Sequence, residues 1–393
     1  MSYHIREVQN ERDEKDFIHL PIKLYKSEKN WIRPLDDDIR KVFDKKRNKF
    51  FRNGTATRWL LKDDSGKYIG RIAAFINYDT ANKKNDQPTG GTGFFECIND
   101  QEAANLLFDT AKEWLQERDM EAMDGPVNFG DRNENWGLLV EGDYPPNYGM
   151  PYHFSYYKAL FENYGFQVYF KQYTYHRKIQ ADVQDIDERV YEKARRIMKD
   201  ENYTFMHIDR NNFEQYAEEF RQIFNKAWAK FVGLGKITEP QAKALIRKLK
   251  PILDPELFWI GYYNKEPIAM FLMLPDLNQI FRHVNGKLDW MGKLRFLYMK
   301  KAKKVTKAIG TLFGVIPDFQ GKGVEAALVL AFADFVSQKK SFQYTDLEMN
   351  WIGDFNPKMM RVAEQVGGKV LKTHHTYRYL FDRNKEFKRM PEH

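Results

Sequence analysis

The sequence predicts an α/β protein of two domains, each with a mixed central sheet flanked by helices. The chain has 393 residues, which exceeds the usual length of one domain and suits two. The same order of predicted elements also occurs twice, although the two halves share little sequence. In each half, helices are followed by a hairpin, a strand, a helix, a strand, a helix and a final strand. We therefore expect one domain over 1–180 and a second over 181–393, joined near Ala181.

The first half shows alternating apolar strands and helices with apolar residues every three or four positions. The turn Asp63-Asp64-Ser65-Gly66 separates its two hairpin strands. The predicted elements are helical segments over 17–44 broken at Pro21 and Pro34, strands over 56–62, 67–78 and 93–98, a helix over 100–118, a strand over 120–128, a helix over 154–164 and a strand over 167–179.

The second half repeats this order and contains an insertion over 276–307. The predicted elements are a helix over 187–200, a strand over 204–208, helices over 212–228 and 239–249, strands over 257–263, 267–274 and 311–316, a helix from Val324, a strand over 344–350, a helix over 357–366 and a strand over 369–381. Within the insertion, an apolar helical stripe is followed by an apolar segment containing Trp290 and Leu294. Packing on the domain core is the simpler expectation, and apolar residues beside a basic run could also rest on a membrane or cover an acyl chain.

A strand, a glycine turn and a helix follow one another over 309–335. Pro317 ends the strand, because proline has no N–H to donate. The turn Gln320-Gly321-Lys322-Gly323 precedes an apolar helix, whose first backbone N–H groups have no partner within the helix. The N-terminus of a helix also favours negative charge. The segment therefore predicts a binding site for a phosphate-bearing ligand, and an ordinary strand–turn–helix with glycines for tight packing would show the same pattern.

This turn resembles the pyrophosphate loop of the GNAT acyltransferase superfamily, with matches at Val315, Pro317, Gln320 and Gly323. The resemblance implies an acyl-CoA, such as acetyl-CoA, as donor substrate, with the backbone of Val315 contacting the thioester. Glu325 stands where the family has Gly or Ala, and its carboxylate would repel a pyrophosphate. The first half has no such loop, because the carboxylates of Asp100 and Glu102 occupy the equivalent position.

The whole chain also resembles an uncharacterised bacterial family of tandem GNAT-like proteins. That resemblance rests on the segments at 93–100, 125–129, 137–142, 150–157, 274–278 and 348–351. It implies two GNAT-like domains and an N-acyltransferase activity, and it implies no substrate.

The strand over 344–350 carries the candidate catalytic groups. Asp346, Glu348 and Asn350 fall on one face by the period of two. A strand covered by helices on both faces should be apolar on both, so a polar face indicates a cleft. Glu348 is the candidate general base and Asp346 the second choice, with Asn350 in the substrate cleft. An edge position or a buried ion pair would explain the same pattern.

Two further positions come from the family resemblance. Asn356 lies where the family has an asparagine near the coenzyme, but it also precedes Pro357 as a helix N-cap. Ala363 stands where the family has a tyrosine acid, so another group would have to protonate the thiolate.

Long polar and aromatic loops in the first half predict a substrate pocket, or aromatic packing between the domains. The candidate residues are Asn133, Trp136, Tyr148, His153 and Tyr156.

The formal net charge is +8, and seven basic residues with no acid lie over 293–307. This cluster could be a solvated helix face or could meet coenzyme phosphates, tRNA or an anionic membrane surface. Only one cysteine is present, no apolar segment is long enough to span a bilayer, and no metal-ligand spacing occurs, so we expect a cytoplasmic protein without a metal.

Three functions fit these observations. The first is an acyl-CoA-dependent N-acyltransferase acting on an amine. The second is a Fem-type transferase that uses aminoacyl-tRNA, in which the basic cluster would meet the RNA. The third is a binding module without activity, consistent with Glu325 and Ala363.

Overall fold

A computed structural model describes residues 2–83, 85–132, 134–180, 187–228 and 236–392. Helices flank one continuous mixed sheet. The strands are β1 (His4–Glu7), β2 (Gly54–Lys62), β3 (Tyr68–Asn77), β4 (Thr89–Cys97), β5 (Ala122–Gly125), β6 (Leu138–Glu141), β7 (Gln167–Lys178), β8 (Tyr203–His207), β9 (Phe258–Tyr263), β10 (Glu266–Pro275), β11 (Lys307–Val315), β12 (Asp346–Gly353) and β13 (Lys369–Leu380). The helices are α1 (Glu11–Leu24), α2 (Asp36–Phe43), α3 (Gln101–Gln116), α4 (Tyr157–Tyr164), α5 (Glu188–Met198), α6 (Phe213–Ala227), α7 (Glu239–Leu249), α8 (Asn278–Phe281), α9 (Trp290–Lys301), α10 (Val324–Gln338) and α11 (Pro357–Gln365).

The two halves share this sheet by exchanging their last strands. The strand order is β1-β2-β3-β4-β5-β13-β7-β12-β11-β10-β9-β8, and β6 pairs with β13. Strand β13 comes from the second half but lies against β5, with Tyr377 opposite Gly125. Strand β7 comes from the first half but lies against β12, with Glu348 opposite His176. The domain boundary near Ala181 lies outside the described residues, and the division into 1–180 and 181–393 stays a prediction.

Most predicted elements agree with the structure, because the patterns that predict them are local. Helix α3 buries Ala104, Leu107, Phe108 and Ala111 on one side, and Asp100 caps it by accepting a hydrogen bond from Ala103 N at 2.8 Å. The expected helix break at Pro21 is wrong, since α1 continues through this residue to Leu24. The short strands β1 and β6 were not predicted, because four residues are too few to show a period.

Two large apolar clusters hold the sheet to its helices. One packs β9, β10 and β11 against α6 and α10, with Phe220, Phe258 and Leu328 fully buried. The other packs β3 and β4 against α3 and α4, with Leu107, Phe108 and Phe161 fully buried. Helix α1 packs on β3 in a separate cluster through Phe17, Ile18 and Leu20. Both faces of the central strands are therefore covered, which explains the continuous apolar sequence of β3 and β10.

The insertion over 276–307 differs in part from the prediction. The stripe Leu277, Ile280, Phe281 and Val284 is buried, as expected. The prediction that the following segment packs on the core is wrong for most of its apolar residues. Of these, Phe296 is half-buried, while Trp290, Met291, Leu294, Leu297 and Tyr298 are exposed on α9.

Candidate functional site

Strands β11 and β12 diverge and leave a gap in the second half. They pair in parallel from Lys307 opposite Asp346 to Gly310 opposite Met349. Beyond that point β12 pairs with β7, while β11 continues alongside β10 alone in the part of the chain described here. A bulge at Thr311 in the β10–β11 ladder marks the start of the divergence. Bulges bend a strand and often lie beside functional sites.

A cavity of about 240 Å³ lies in this gap. Its wall comes from β11, β12, α10 and α11, and most of the lining side chains are apolar, including Phe271, Leu312, Phe332, Met349 and Ile352. Among the described residues, the lining side chains with a polar group are Arg177, Trp228, Thr311, Asn350, Trp351 and Asn356, with no carboxylate or histidine. Such a wall suits an apolar group better than a charged one.

The glycine turn leads from β11 to the N-terminus of α10. Gly321 and Gly323 have φ values of 70° and 98°, a conformation that glycine adopts at little cost. Gly323 is the N-cap of α10, and no side chain caps this helix end. The N-terminus of α10 therefore keeps the N–H groups and the dipole that favour an anion.

Side chains fix the shape of this turn. Gln320 Nε2 donates to the carbonyl oxygen of Val315 at 2.8 Å. Lys193 of α5 donates to the carbonyl oxygen of Gly321 and lies under Gly323, where an added Cβ would approach its Cγ to 2.8 Å. Glu325 Oε1 accepts a hydrogen bond from Gly321 N at 3.2 Å. A carboxylate therefore uses an N–H group that a phosphate could otherwise use.

Helix α11 forms the far wall of the gap. The side chain of Asn356 accepts a hydrogen bond from Met359 N at 3.2 Å and so caps α11. Asn356 also lines the cavity, so the cap and the ligand roles predicted from the sequence are compatible. Ala363 is fully buried in α11.

Glu348 lies in a buried network that joins the two halves. Its carboxylate contacts Lys372 Nζ at 2.7 Å and Lys307 Nζ at 2.8 Å. Asn147, from the first half, donates to the same carboxylate at 2.7 Å and to Asn350 at 3.0 Å. Asp276 lies 3.5 Å from Lys307. The predicted polar face of β12 is therefore real for Glu348 and Asn350.

These contacts set the protonation of Glu348. Burial would raise its pKa, but the charges of Lys372 and Lys307 outweigh burial and lower it. Burial lowers the pKa of Lys372, and Glu348 partly restores it. A carboxylate that is held ionised by two ammonium groups is a weak base. Glu348 does not line the cavity, so its base role stays a prediction that these contacts do not favour.

Asp346 lies two residues away on β12 and is half-buried. Its carboxylate contacts Lys178 Nζ at 2.7 Å and His176 Nε2 at 2.8 Å, both on β7. Burial would raise its pKa, but hydrogen bonds from Lys178, Thr345 and His176 lower it to about 2. It joins strands from the two halves and does not line the cavity either.

A second cavity, of about 120 Å³, lies mainly in the first half, between the end of β4, helix α2 and the segment that follows β5. It contains two of the residues predicted to bind substrate, Tyr148 and His153. Tyr148 donates to Asp38 at 2.9 Å, and His153 Nδ1 accepts from Leu139 N at 3.1 Å. Burial lowers the pKa of His153 to about 3, so the ring is neutral.

A buried ion pair borders this second cavity. Arg71 contacts Glu96 at 3.4 Å, and Tyr157 donates to the other oxygen of Glu96 at 2.9 Å. Burial raises the pKa of Glu96, although Arg71 opposes this shift. Phe94, in the bulge of β4, has a φ of 52°, which is uncommon for a bulky residue. Periodicity did not single out Glu96, because it lies in a predominantly apolar strand.

The other predicted substrate residues do not lie together. Tyr156 donates to the carbonyl oxygen of Cys97 at 2.8 Å, and Trp136 packs on the cluster around Phe129. Asn350 lines the cavity of the second half. Asn133 lies outside the described residues. No group of three or more His, Cys, Asp or Glu side chains that could hold a metal occurs in the described ranges.

Comparisons with known proteins bear on the fold. No protein-family model matches the chain. The structure aligns with a tandem GNAT protein from the clavulanic acid biosynthesis pathway, with a TM-score of 0.54 and 9% identity over 97% of this chain and 99% of that one. The chain has a tandem GNAT fold.

Two curated proteins are similar over nearly the full length. A bacterial ceramide synthase of Caulobacter vibrioides strain NA1000 is 28% identical over 368 residues, which is 92% of this chain and 94% of that protein. Protein YghO of Escherichia coli strain K12 is 28% identical over 384 residues, which is 95% of this chain and 94% of that protein.

Proposed function

We propose that this protein is an N-acyltransferase that takes an acyl group from acyl-CoA and transfers it to the amine of a long-chain lipid. The observation that carries the proposal is the apolar cavity of about 240 Å³ between β11 and β12, which is lined in part by Val329, Phe332 and Ala333 of α10, a helix whose N-terminus no side chain caps. The N-terminus of α10 suits an anion, and the apolar cavity suits a hydrocarbon chain. An acyl-CoA has both.

Each end of the donor has residues to receive it. The coenzyme phosphates would lie against the backbone of Gly321, Lys322 and Gly323, and the ammonium group of Lys322 is exposed beside them. The acyl chain would enter the cavity between Leu312 and Ile352. The backbone of Val315 and the side chain of Asn356 take the roles that the GNAT resemblance gives them, at the thioester and beside the coenzyme.

The reaction needs little covalent assistance from the protein. The neutral amine attacks the thioester carbon, the new C–N bond forms, and the C–S bond breaks. The proton lost by the amine goes to the leaving thiolate, so an amide and free CoA result. Because no carboxylate or histidine is present in the described cavity wall, a solvent molecule is better placed than Glu348 to carry this proton, and the amide of Asn350 can only orient such a molecule by hydrogen bonding.

The similarity to a bacterial ceramide synthase supports the choice of acceptor, since a ceramide is a long-chain base joined to a fatty acid by an amide. The overlap of this chain with that protein includes both halves. The tandem GNAT fold supports the donor chemistry at a coarser level.

The proposal is tested by incubating the full chain with a long-chain acyl-CoA and a long-chain amino alcohol. We expect release of free thiol together with an N-acyl product identified by mass spectrometry. A short-chain amino alcohol and acetyl-CoA serve as matched controls and should react much more slowly. Thiol release without an amide product would contradict the proposal.

A second function, a binding module without turnover, is supported by one contact and by one missing acid. Glu325 uses the N–H group of Gly321, and Ala363 leaves no acid on α11 at the family's position. Saturable acyl-CoA binding without an amide product from a broad range of amines would favour it.

A further inference from the structure

Helix α9 directs a set of large apolar side chains away from the protein. Their exposed fractions range from 57% for Leu294 to 70% for Trp290. The set consists of Trp290, Met291, Leu294, Leu297 and Tyr298, and we call it the α9 apolar face. It contains five of the twelve most exposed large apolar residues among those described, all within one helix of 12 residues. Such concentration marks an interaction site.

The periodicity of the helix explains why the face is continuous. At about 100° per residue, these five positions cover an arc of about 120°. Gly292 and Met299 are buried on the opposite side, and Phe296 is half-buried there. The helix is therefore apolar on both sides, and only one side is used by the core.

Basic residues flank the α9 apolar face. Lys293 and Lys300 lie along one border, Arg295 along the other, and Lys301 at the C-terminal end. Lys303 and Lys304 follow directly after the helix. Asp289, the N-cap, precedes the helix, and no acidic residue occurs from there to Lys307. Apolar side chains bordered by lysine are typical of helices that lie in a membrane interface.

A crowded group of cations lies beneath the C-terminal end of α9. A cavity of about 280 Å³ is lined by Arg210, Lys300, Lys301 and Lys303, and by the acids Asp254 and Glu256. Burial and the nearby charge of Arg210 lower the pKa of Lys300, while Asp254 opposes this shift. Since four basic and two acidic side chains line this cavity, its net charge is positive and favours an anion.

We propose that α9 is an interfacial helix that docks the protein on an anionic phospholipid surface. The α9 apolar face would enter the headgroup layer, while the flanking lysines and Arg295 contact lipid phosphates. No helix in the described ranges has both the length and the apolar composition to cross a bilayer. The proposal does not depend on the acyltransferase activity.

Two other occupants fit the face less well. In a symmetric dimer the same patch would face itself, which would bring two sets of lysines together. An RNA would use the lysines but would leave the five apolar side chains without a partner. An anionic bilayer satisfies the charges and the apolar face together.

The test is co-sedimentation of the full chain with vesicles of phosphatidylglycerol and phosphatidylcholine, compared with phosphatidylcholine alone. We expect binding to the anionic vesicles that weakens at higher salt. A variant with Trp290→Ser, Leu294→Ser and Leu297→Ser should bind at least about tenfold more weakly. These side chains are exposed, so the variant should keep the thermal unfolding midpoint of the wild type.

A labelling experiment locates the contact on the molecule. The only cysteine, Cys97, is fully buried, so a fluorophore sensitive to polarity can be attached to a Leu294→Cys variant. Its emission should shift to shorter wavelength on anionic vesicles. The matched control is Met206→Cys on the edge strand β8, which is also exposed and should show no shift.

Several results would overturn the proposal. One is that the wild type and the triple variant sediment equally with anionic vesicles. Another is that the fluorophore emission shifts equally at positions 294 and 206. A dimer that the triple variant disrupts, without vesicle binding by the wild type, would assign the face to a second copy. RNA binding that depends on the lysines, again without vesicle binding, would assign it to a nucleic acid.

Discussion

The cavity beside β4 in the first half and the cavity between β11 and β12 in the second half lie next to equivalent pairs of parallel strands, β4–β5 and β11–β12, but differ in character. In the first half, Asp100 caps the helix after β4, and the cavity is bordered by the ion pair of Arg71 and Glu96. In the second half, no side chain caps the helix after β11, and the cavity is larger and mainly apolar. Of these two equivalent helices, only α10 therefore has an N-terminus without a side-chain cap.

This difference indicates that a helix N-terminus can bind an anion only if no side chain of the protein already satisfies its N–H groups. Asp100 provides an internal carboxylate that satisfies the N–H of Ala103. Gly323 provides none, although Glu325 reaches back to Gly321. We place the donor site in the second half for this reason, and the following variants test the assignment.

The largest expected effect concerns the buried carboxylates of the two halves. Glu348→Gln should lower the free energy of unfolding by about 3–5 kcal/mol, because Lys307 and Lys372 lose their common partner. Glu96→Gln should cost about 1–2 kcal/mol, because burial already disfavours the charged form of Glu96. Urea unfolding at neutral pH measures both.

The pH dependence separates the two carboxylates further. The pKa of Glu348 is lowered by folding, so its stabilisation is present above the ordinary glutamate pKa and is lost as pH falls through the lowered value. The pKa of Glu96 is raised, so its favourable contribution belongs to low pH and is lost as pH rises through the raised value. The cost of Glu348→Gln should therefore shrink in acid, while that of Glu96→Gln should grow. Full stability of Glu348→Gln, combined with lost activity, would instead support Glu348 as the base.

An intermediate effect is expected when the larger cavity is filled. Ala333→Trp adds an indole to the wall of the cavity between β11 and β12. Binding of a long-chain acyl-CoA should weaken by about a hundredfold or more, since the chain loses its apolar site. Free CoA, which has no acyl chain, is the matched ligand and should bind as before. Equal weakening for both ligands would indicate general damage to the fold.

The smallest expected effect comes from removing one carboxylate in each half and comparing the affinity for CoA. Glu325 and Glu102 are each the second residue of the helix that follows the equivalent strand. Glu325→Ala should tighten CoA binding by about five- to tenfold, because it frees Gly321 N and removes a negative charge. Glu102→Ala should leave the affinity unchanged. Weaker binding by Glu325→Ala would show that this carboxylate shapes the turn instead of competing with the ligand.

The sequence could predict features that depend on neighbouring residues. The glycine turn at 320–323, the cap of α11 by Asn356 and the burial of Leu107 and Phe108 all follow from local patterns. The shared face of Glu348 and Asn350 follows from the period of a strand.

Features that depend on distant segments could not be predicted. The partners of Glu348 come from positions 147, 307 and 372, which only the exchange of β7 and β13 and the course of β11 bring together. The outward face of α9 was mistaken for core, because apolar residues lie on both sides of this helix and the sequence does not say which side is buried.

The central claim is that the second half holds an acyl-CoA with its chain between β11 and β12. Calorimetric titration of the purified protein with a long-chain acyl-CoA, acetyl-CoA and free CoA tests it most directly. We predict saturable binding at one site, tightest for the long-chain donor, with this preference lost in Ala333→Trp. Absence of binding to all three, or the same affinity for all three in both proteins, would contradict the claim.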